Sequence, residues 1–334
     1  MSIPFVLNGV GRIGRALLRI VVHRPGLELV AVNDLAPAPQ LANLLAHDTI
    51  HGPFAGTVEP REDSLVVDGR RIPVFNEPDP NRIPWLDLMP RIVVDATGTC
   101  VDRESAATHL RGSVGKVVVS ANAKGMDLTL CMGINQTAYE PRHHHLISGA
   151  SCTTNCLAPM VKVLDDGFGL SRGLFSTVHS YNNDQRLLSY PHPDPRRART
   201  ATLNMIPTTT SASQAIHRIL PGFEGRLDGI AVRVPTPNVS LIDLVADLEA
   251  QPGAADVNSA FLKAAKGELA GILAVTEEEL VSSDFLGDPH SAIIDLPLTS
   301  GVDGGMTRVV AWYDNEFGHA TRLADSLEFL GETL

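Results

Sequence analysis

Cys152 opens the segment with the most chemical potential, Ser151-Cys152-Thr153-Thr154-Asn155-Cys156, which runs directly into the amphipathic series Leu157, Val161 and Leu164. Ser151 suits an N-cap, so Cys152 is expected in the first turn of a helix, where the positive end of the macrodipole favours thiolate over thiol. Such a cysteine is a nucleophile near neutral pH, although the residue type fits a buried structural thiol equally well. A nucleophilic thiol needs a base. Of 12 histidines, His179 is the best placed, because it lies near the end of the apolar run Gly173 to Tyr181, where a strand end can project a side chain into a cleft. His143-His144-His145 reads as a solvated turn, and no metal site is expected, since no second ligand group has convincing spacing. Cys152 and Cys156 share a helix face, but one pair is neither a zinc site nor a redox centre.

Anion-binding groups form a second set. Arg196-Arg197-Ala198-Arg199, Thr208-Thr209-Thr210-Ser211 and the isolated Arg233 in an apolar run all suit phosphate, through guanidinium forks and hydroxyl donors. The arginine cluster reads equally as interface salt bridging. Arg233, if buried, requires a partner, and a bound anion would serve. A third set is Asn8-Gly9-Val10-Gly11-Arg12-Ile13-Gly14, at the junction of an expected strand and helix. There Gly9 can make the tight turn, Gly11 admits a pyrophosphate to the backbone, and Gly14 permits close helix packing. Asp34, 20 residues beyond Gly14, ends the next expected strand, where a carboxylate accepts from both ribose hydroxyls and repels a 2′-phosphate. NAD is therefore expected over NADP.

These groups need a scaffold. The first half alternates β-rich runs (Ile3 to Leu7, Leu27 to Asn33, Arg91 to Ala96, Lys116 to Ala121, His145 to Ser148) with helical patterns (Gly11 to Val22, Pro39 to Ala46), the rhythm of a parallel sheet. After Cys152 longer strands dominate: Gly173 to Tyr181, Leu227 to Pro235, Val239 to Glu249, Ser291 to Leu296 and Thr307 to Tyr313, with helices at Asp256 to Leu269 and Gly318 to Leu330. The expected fold is α/β, a Rossmann doubly wound parallel-sheet domain joined to an α+β catalytic domain with a mostly antiparallel sheet. A length of 334 residues suits two domains, and 44% hydrophobic with 19% charged residues disfavours disorder. The net charge of −11 argues against broad binding to nucleic acid or anionic lipid. No apolar run approaches the roughly 20 residues of a membrane span, Arg12, Arg15 and Arg19 interrupt the opening segment, and four cysteines make no disulfide scaffold. A cytoplasmic location is expected.

Taken together, the motifs resemble phosphorylating glyceraldehyde-3-phosphate dehydrogenase from end to end. The resemblance is carried by Asn8-Gly9-Val10-Gly11-Arg12-Ile13-Gly14-Arg15, Ala150-Ser151-Cys152-Thr153-Thr154-Asn155-Cys156, Pro207-Thr208-Thr209-Thr210, Arg233-Val234-Pro235-Thr236-Pro237-Asn238-Val239-Ser240 and Trp312-Tyr313-Asp314-Asn315-Glu316. It implies that Cys152 attacks the aldehyde, that His179 activates the thiol, and that a thioester yields to inorganic phosphate. It further implies that Ser151, Arg197 and Thr210 hold inorganic phosphate with Ser211 nearby, that Arg233 holds the substrate phosphate, and that Thr153 and Asn182 are substrate- or phosphate-binding positions. Gly9, Gly11, Arg12, Ile13, Gly14, Asp34, Thr97, Ser120 and Asn315 become the NAD ligands. The implied domains are 1–151 with 317–334 for the cofactor and 152–316 for catalysis and assembly of a homotetramer, with a loop from about Ser180 to Arg199 reaching a neighbouring subunit.

Several positions depart from the family pattern. Asn182 stands where a threonine contacts the substrate phosphate, although its amide can still donate. Val10 replaces a usual phenylalanine, Gly149 an asparagine, Ser211 a glycine and Phe317 a tryptophan. Asn182, with Asp288-Pro289-His290-Ser291-Ala292-Ile293 and Asp165-Asp166, keeps erythrose-4-phosphate dehydrogenase as an alternative, a non-phosphorylating enzyme of pyridoxal phosphate biosynthesis. Intact Thr210 and Arg197 favour phosphorylation. A reading of another class, a catalytically silent NAD-binding regulatory or adhesion protein, is disfavoured by retention of both Cys152 and His179.

Overall fold

The computed structural model describes residues 2–303 and 305–334. The chain forms two compact units, one of Met1–Leu130, Gln136–Ser151 and Ala320–Leu334, the other of Cys131–Asn135 and Cys152–His319.

The first unit is built on a nine-stranded sheet. Its parallel part runs Leu128–Thr129, Leu146–Ser148, Lys116–Val119, Ile92–Asp95, Ile3–Asn8, Leu27–Asn33 and Arg70–Phe75, and antiparallel Ser64–Val67 and Val58–Pro60 finish one edge. Phe5 to Leu7, Ile92 to Val94 and Lys116 to Val119 are all buried, which is why these strands read as continuous apolar runs rather than alternating ones. Strand order reverses at Ile3–Asn8, between Leu27–Asn33 and Ile92–Asp95, and helix Arg12–Val21 begins four residues beyond its end. The register sets Asn8 opposite both Asn33 and Asp95, so the three strands end abreast. In open α/β sheets this switch point is where a ligand crevice forms.

The second unit carries an eight-stranded sheet in the order Ile206–Thr209, Leu227–Val234, Leu170–Ser180, Ser240–Leu248, Met306–Tyr313, Ala292–Asp295 and Leu273–Thr276, with Ser300–Val302 pairing on Met306–Tyr313. Two neighbouring pairs are parallel and the remainder antiparallel. Along Ser240–Leu248 every second residue is buried, as expected of a sheet covered on one face. Helix Cys152–Phe168 packs on that sheet through a buried stripe that includes Cys156, Leu157, Met160, Val161 and Leu164.

Most expected elements are present within a residue or two of their expected bounds. The hairpin strands between Val58 and Phe75 were not expected, because Pro60, Gly69 and Pro73 break that stretch into short pieces. Strand Ile206–Thr209 and helix Ala212–Ile219 likewise were not expected; the run Thr208 to Ser211 was read only for its hydroxyl donors.

Candidate active site

A cavity of about 330 Å³ lies in the first unit where the central strands end. Gly9, Gly11, Asp34 and Thr97 line it, with Asn8, Asn33, Asp95 and His109. These last four form one buried network. Asn33 Nδ2 donates to Asn8 Oδ1 at 2.8 Å, and Asn8 Nδ2 donates to Asp95 Oδ2 at 2.8 Å. Asp95 also accepts from the Thr97 hydroxyl at 2.7 Å and faces His109 Nε2 at 3.3 Å. Burial pushes the Asp95 carboxyl up, but the hydrogen bonds from His109, Thr97 and Asn8 outweigh it and hold the group below its ordinary value.

The three glycines have distinct surroundings. Gly9 has φ +93°, a left-handed conformation, and a Cβ there would meet the Thr97 amide nitrogen at 2.7 Å. A Cβ on Gly14 would stand 2.1 Å from the Gly9 carbonyl oxygen, whereas one on Gly11 would meet no protein atom within 4 Å. Open space at the N-cap of helix Arg12–Val21 is what a pyrophosphate requires, so the residues fit a dinucleotide. Asp34 Oδ2 accepts from the Val10 amide at 2.7 Å and Oδ1 from the Ala36 amide at 2.9 Å. Both oxygens are thereby fixed on the cavity wall, each retaining a lone pair for a ribose hydroxyl. Arg12, Ile13, Gly14 and Ser120 do not line the cavity; Gly14 instead packs beneath Gly9.

In the second unit Cys152 is the first residue of its helix, as expected, and its Sγ lies 3.6 Å from His179 Nε2. The Ser180 carbonyl sits 2.7 Å from His179 Nδ1, so the tautomer protonated at Nδ1 donates to it and presents an unprotonated Nε2 to the thiol. Arg233 Nη1 also touches Nδ1 and reaches the same carbonyl at 3.2 Å. The guanidinium can only donate, so its contact suits an unprotonated Nδ1 and the carbonyl contact a protonated one. The ring edge of His179 stands against Tyr313, with centroids 6.0 Å apart at 75°. His179 and Arg233 are register partners on adjacent parallel strands.

One electrostatic expectation is corrected. Cys152 was expected to have a lowered pKa; burial pushes its thiol up, against the opposing pull of Arg233 and of hydrogen bonding at Thr153. The helix terminus is present, yet burial prevails at this thiol. Cys156, fully buried, is pushed up further.

Thr153, an expected substrate- or phosphate-binding position, has an internal partner. Its buried hydroxyl meets the Tyr313 hydroxyl at 3.0 Å, and Thr177 meets the same phenol at 2.8 Å. Arg197 donates from Nε to the Thr208 hydroxyl at 2.8 Å rather than to Thr210, whose hydroxyl accepts from the Ala212 amide at 3.2 Å. Asn182 Oδ1 accepts from the Asp184 amide at 3.1 Å, so its NH2 is the part left to donate. The Asn315 carbonyl oxygen is likewise held, by the hydroxyls of Ser180 at 2.9 Å and Ser240 at 3.1 Å. Arg233 is half-buried, and its Nε has no hydrogen-bond partner among the described residues.

Sequence reasoning overlooked the Asn8–Asn33–Asp95–His109 network and the roles of Thr177, Ser180, Thr208 and Ser240. The polar residues ending three apolar strands were the available signal for the first; the others depend on cross-strand register. The described residues contain no group of three or more metal-ligating side chains, and no helix is long and apolar enough to cross a membrane.

Comparison with known proteins agrees with this geometry. Residues 3–103 match the family model described as glyceraldehyde 3-phosphate dehydrogenase, NAD binding domain, and residues 151–315 match its C-terminal domain. The chain is 49% identical to the glyceraldehyde-3-phosphate dehydrogenase of Geobacillus stearothermophilus over 330 residues, 99% of this chain and 98% of that one. It is 48% identical to the enzyme of that name from Streptomyces coelicolor over the whole of both chains, and 47% identical to glyceraldehyde-3-phosphate dehydrogenase 1 of Bacillus subtilis over 99% of each. A thiol and imidazole paired in one unit, a dinucleotide cavity in the other and similarity of this extent lead to one conclusion: the chain belongs to the glyceraldehyde-3-phosphate dehydrogenase family.

Proposed function

We propose that this chain oxidises D-glyceraldehyde 3-phosphate and captures the product as 1,3-bisphosphoglycerate, in glycolysis and gluconeogenesis. The observation that carries the reading is the 3.6 Å approach of Cys152 Sγ to His179 Nε2. His179 Nε2 takes the thiol proton, Sγ forms a bond to the aldehyde carbon, and the imidazolium returns that proton to the new alkoxide oxygen, giving a thiohemiacetal. His179 then accepts the hydroxyl proton as that carbon is oxidised to a thioester. NAD, when bound, supplies the acceptor for the departing hydride. A phosphate oxygen attacks the thioester carbon, the carbon–sulfur bond breaks, and the thiolate returns to Cys152 with an acyl phosphate released. Backbone amides of Ser151 and Cys152 stabilise the oxyanion in both halves.

Arg233 and Asn182 hold the substrate phosphate in this reading, and Ser151, Arg197, Thr210 and Ser211 the inorganic one. The orphaned Nε of Arg233 and the Asn182 NH2, whose amide oxygen is already engaged, support it. Asn315 holds the nicotinamide amide, supported by its fixed carbonyl; Gly9, Gly11, Arg12, Ile13, Gly14, Asp34, Thr97 and Ser120 serve the rest of the cofactor. The functional domains are 1–151 with 317–334 and 152–316. Exposed Leu187, Leu188, Leu203 and Met205 support assembly into a homotetramer, and the location is cytoplasmic.

Stopped-flow NADH formation without inorganic phosphate tests the first half. A burst of about one NADH per active chain is expected, with Arg233→Ala slowing it at least about tenfold at low aldehyde. A burst retained in Cys152→Ser would remove the thiol from the mechanism.

A further inference from the structure

Arg197 is held on three sides. Nε donates to the Thr208 hydroxyl at 2.8 Å, Nη2 to the Thr209 carbonyl at 3.2 Å and Nη1 to Asp184 Oδ2 at 2.8 Å. The other Asp184 oxygen, Oδ1, faces His192 Nε2 at 3.0 Å. His192 Nδ1 accepts the Asp194 amide at 2.9 Å, so the proton of the neutral ring resides on Nε2 and points at Asp184. The Asp194 carbonyl also lies 3.2 Å from Nδ1, but the shorter amide contact sets the tautomer. Asp194 closes the circuit, its Oδ2 accepting at 2.7 Å from the Thr208 hydroxyl that itself accepts from Arg197.

This arrangement leaves Arg197 one N–H on each terminal nitrogen, the complement for two oxygens of a tetrahedral anion. The danger to such a site is its own carboxylate. Were Asp184 Oδ1 free, the carboxylate could rotate and take both terminal nitrogens as a bidentate pair, the geometry that an anion needs. A hydrogen bond from His192 to Oδ1 keeps the contact one-oxygened. Burial pushes the Asp184 carboxyl up, but the bonds from His192 and Arg197 prevail and keep it ionised, hence a firm anchor.

We propose that His192 is a positioning residue for inorganic phosphate: it fixes Asp184, and through Asp184 it holds the Arg197 fork open to the anion consumed in the second half-reaction. The proposal rests on Arg197 being a phosphate ligand. Its gain is preorganisation, since a long arginine side chain loses rotamer entropy whenever it must be ordered on binding.

The test uses His192→Ala, His192→Gln and Arg197→Ala. In steady state His192→Ala raises the KM for phosphate about tenfold while kcat at saturating phosphate stays within about twofold. The phosphate-free NADH burst and the KM for aldehyde remain as in the unmodified protein, and His192→Gln, whose amide restores a donor, recovers most of the phosphate KM. An unchanged phosphate KM in His192→Ala, or a burst that slows in parallel, overturns the proposal. Broadening of the 31P resonance of inorganic phosphate separates the two levels of the argument. If Arg197→Ala abolishes broadening and His192→Ala leaves it intact, the positioning role alone fails. If Arg197→Ala broadens like the unmodified protein, the phosphate role of Arg197 fails and the proposal falls with it.

Discussion

At the Cys152 thiol two effects oppose each other. Burial raises the energy of the thiolate, and Arg233 with the Thr153 hydrogen bond lowers it; burial prevails. Reactivity at neutral pH must then come from His179 Nε2 accepting the proton, not from the helix terminus alone. Replacing His179 with asparagine should therefore slow alkylation of Cys152 by iodoacetamide at pH 7 about tenfold or more and displace the rate profile to alkaline pH. An unchanged neutral rate in His179→Asn would show that the imidazole does not activate the thiol. Cys100 is the internal reference: it is buried, and burial pushes its thiol up to about 11, so it stays protonated and slow throughout the neutral range. Sequence alone made Cys152 and His179 legible, one by its position before an amphipathic run and the other by its strand end. The sign of the thiol shift was not legible, because desolvation depends on residues that fold over Cys152 from elsewhere in the chain.

At the scale of elements, the turn from strand Ile3–Asn8 to helix Arg12–Val21 separates structural from functional glycine. Gly14→Ala places a methyl 2.1 Å from a backbone oxygen, which only a shift of the helix or turn relieves. Its expected cost is about 2 kcal/mol or more, seen as a fall in Tm of several degrees. Gly11→Ala meets no protein atom within 4 Å. It should cost about 1 kcal/mol or less, alanine being a poorer N-cap than glycine, but weaken NAD at least about tenfold, because the methyl occupies the approach of the pyrophosphate. Calorimetric titration with NAD beside thermal melts distinguishes them; full NAD affinity in Gly11→Ala would place the pyrophosphate elsewhere. This turn was readable from three glycines within six residues, since its geometry is local. The pairing of His179 with Arg233 was not, because those residues are 54 apart and meet only through the register of two parallel strands. Arg197 with Thr208 is similar: the hydroxyl run was recognised, but strand Ile206–Thr209 decides which hydroxyl faces the guanidinium.

At the scale of the whole molecule, composition excluded classes of function more effectively than it chose one. Parallel and antiparallel halves were legible because their strands differ in kind, continuous apolar runs such as Ile92–Asp95 against alternating ones such as Ser240–Leu248. The short edge strands, without a pattern of their own, depend on a neighbour already in place. What unites the scales is a claim about chemistry: a thioester on Cys152 is resolved by inorganic phosphate, and the aldehyde is a triose phosphate despite Asn182. The most direct test is NADH formation by purified protein with glyceraldehyde 3-phosphate or erythrose 4-phosphate, each with and without inorganic phosphate, and with Cys152→Ser as the blank. Sustained turnover that requires both the triose and phosphate, and is absent in Cys152→Ser, is the predicted result. Preference for the tetrose with turnover independent of phosphate would contradict the account and make Asn182 the residue that defines the substrate.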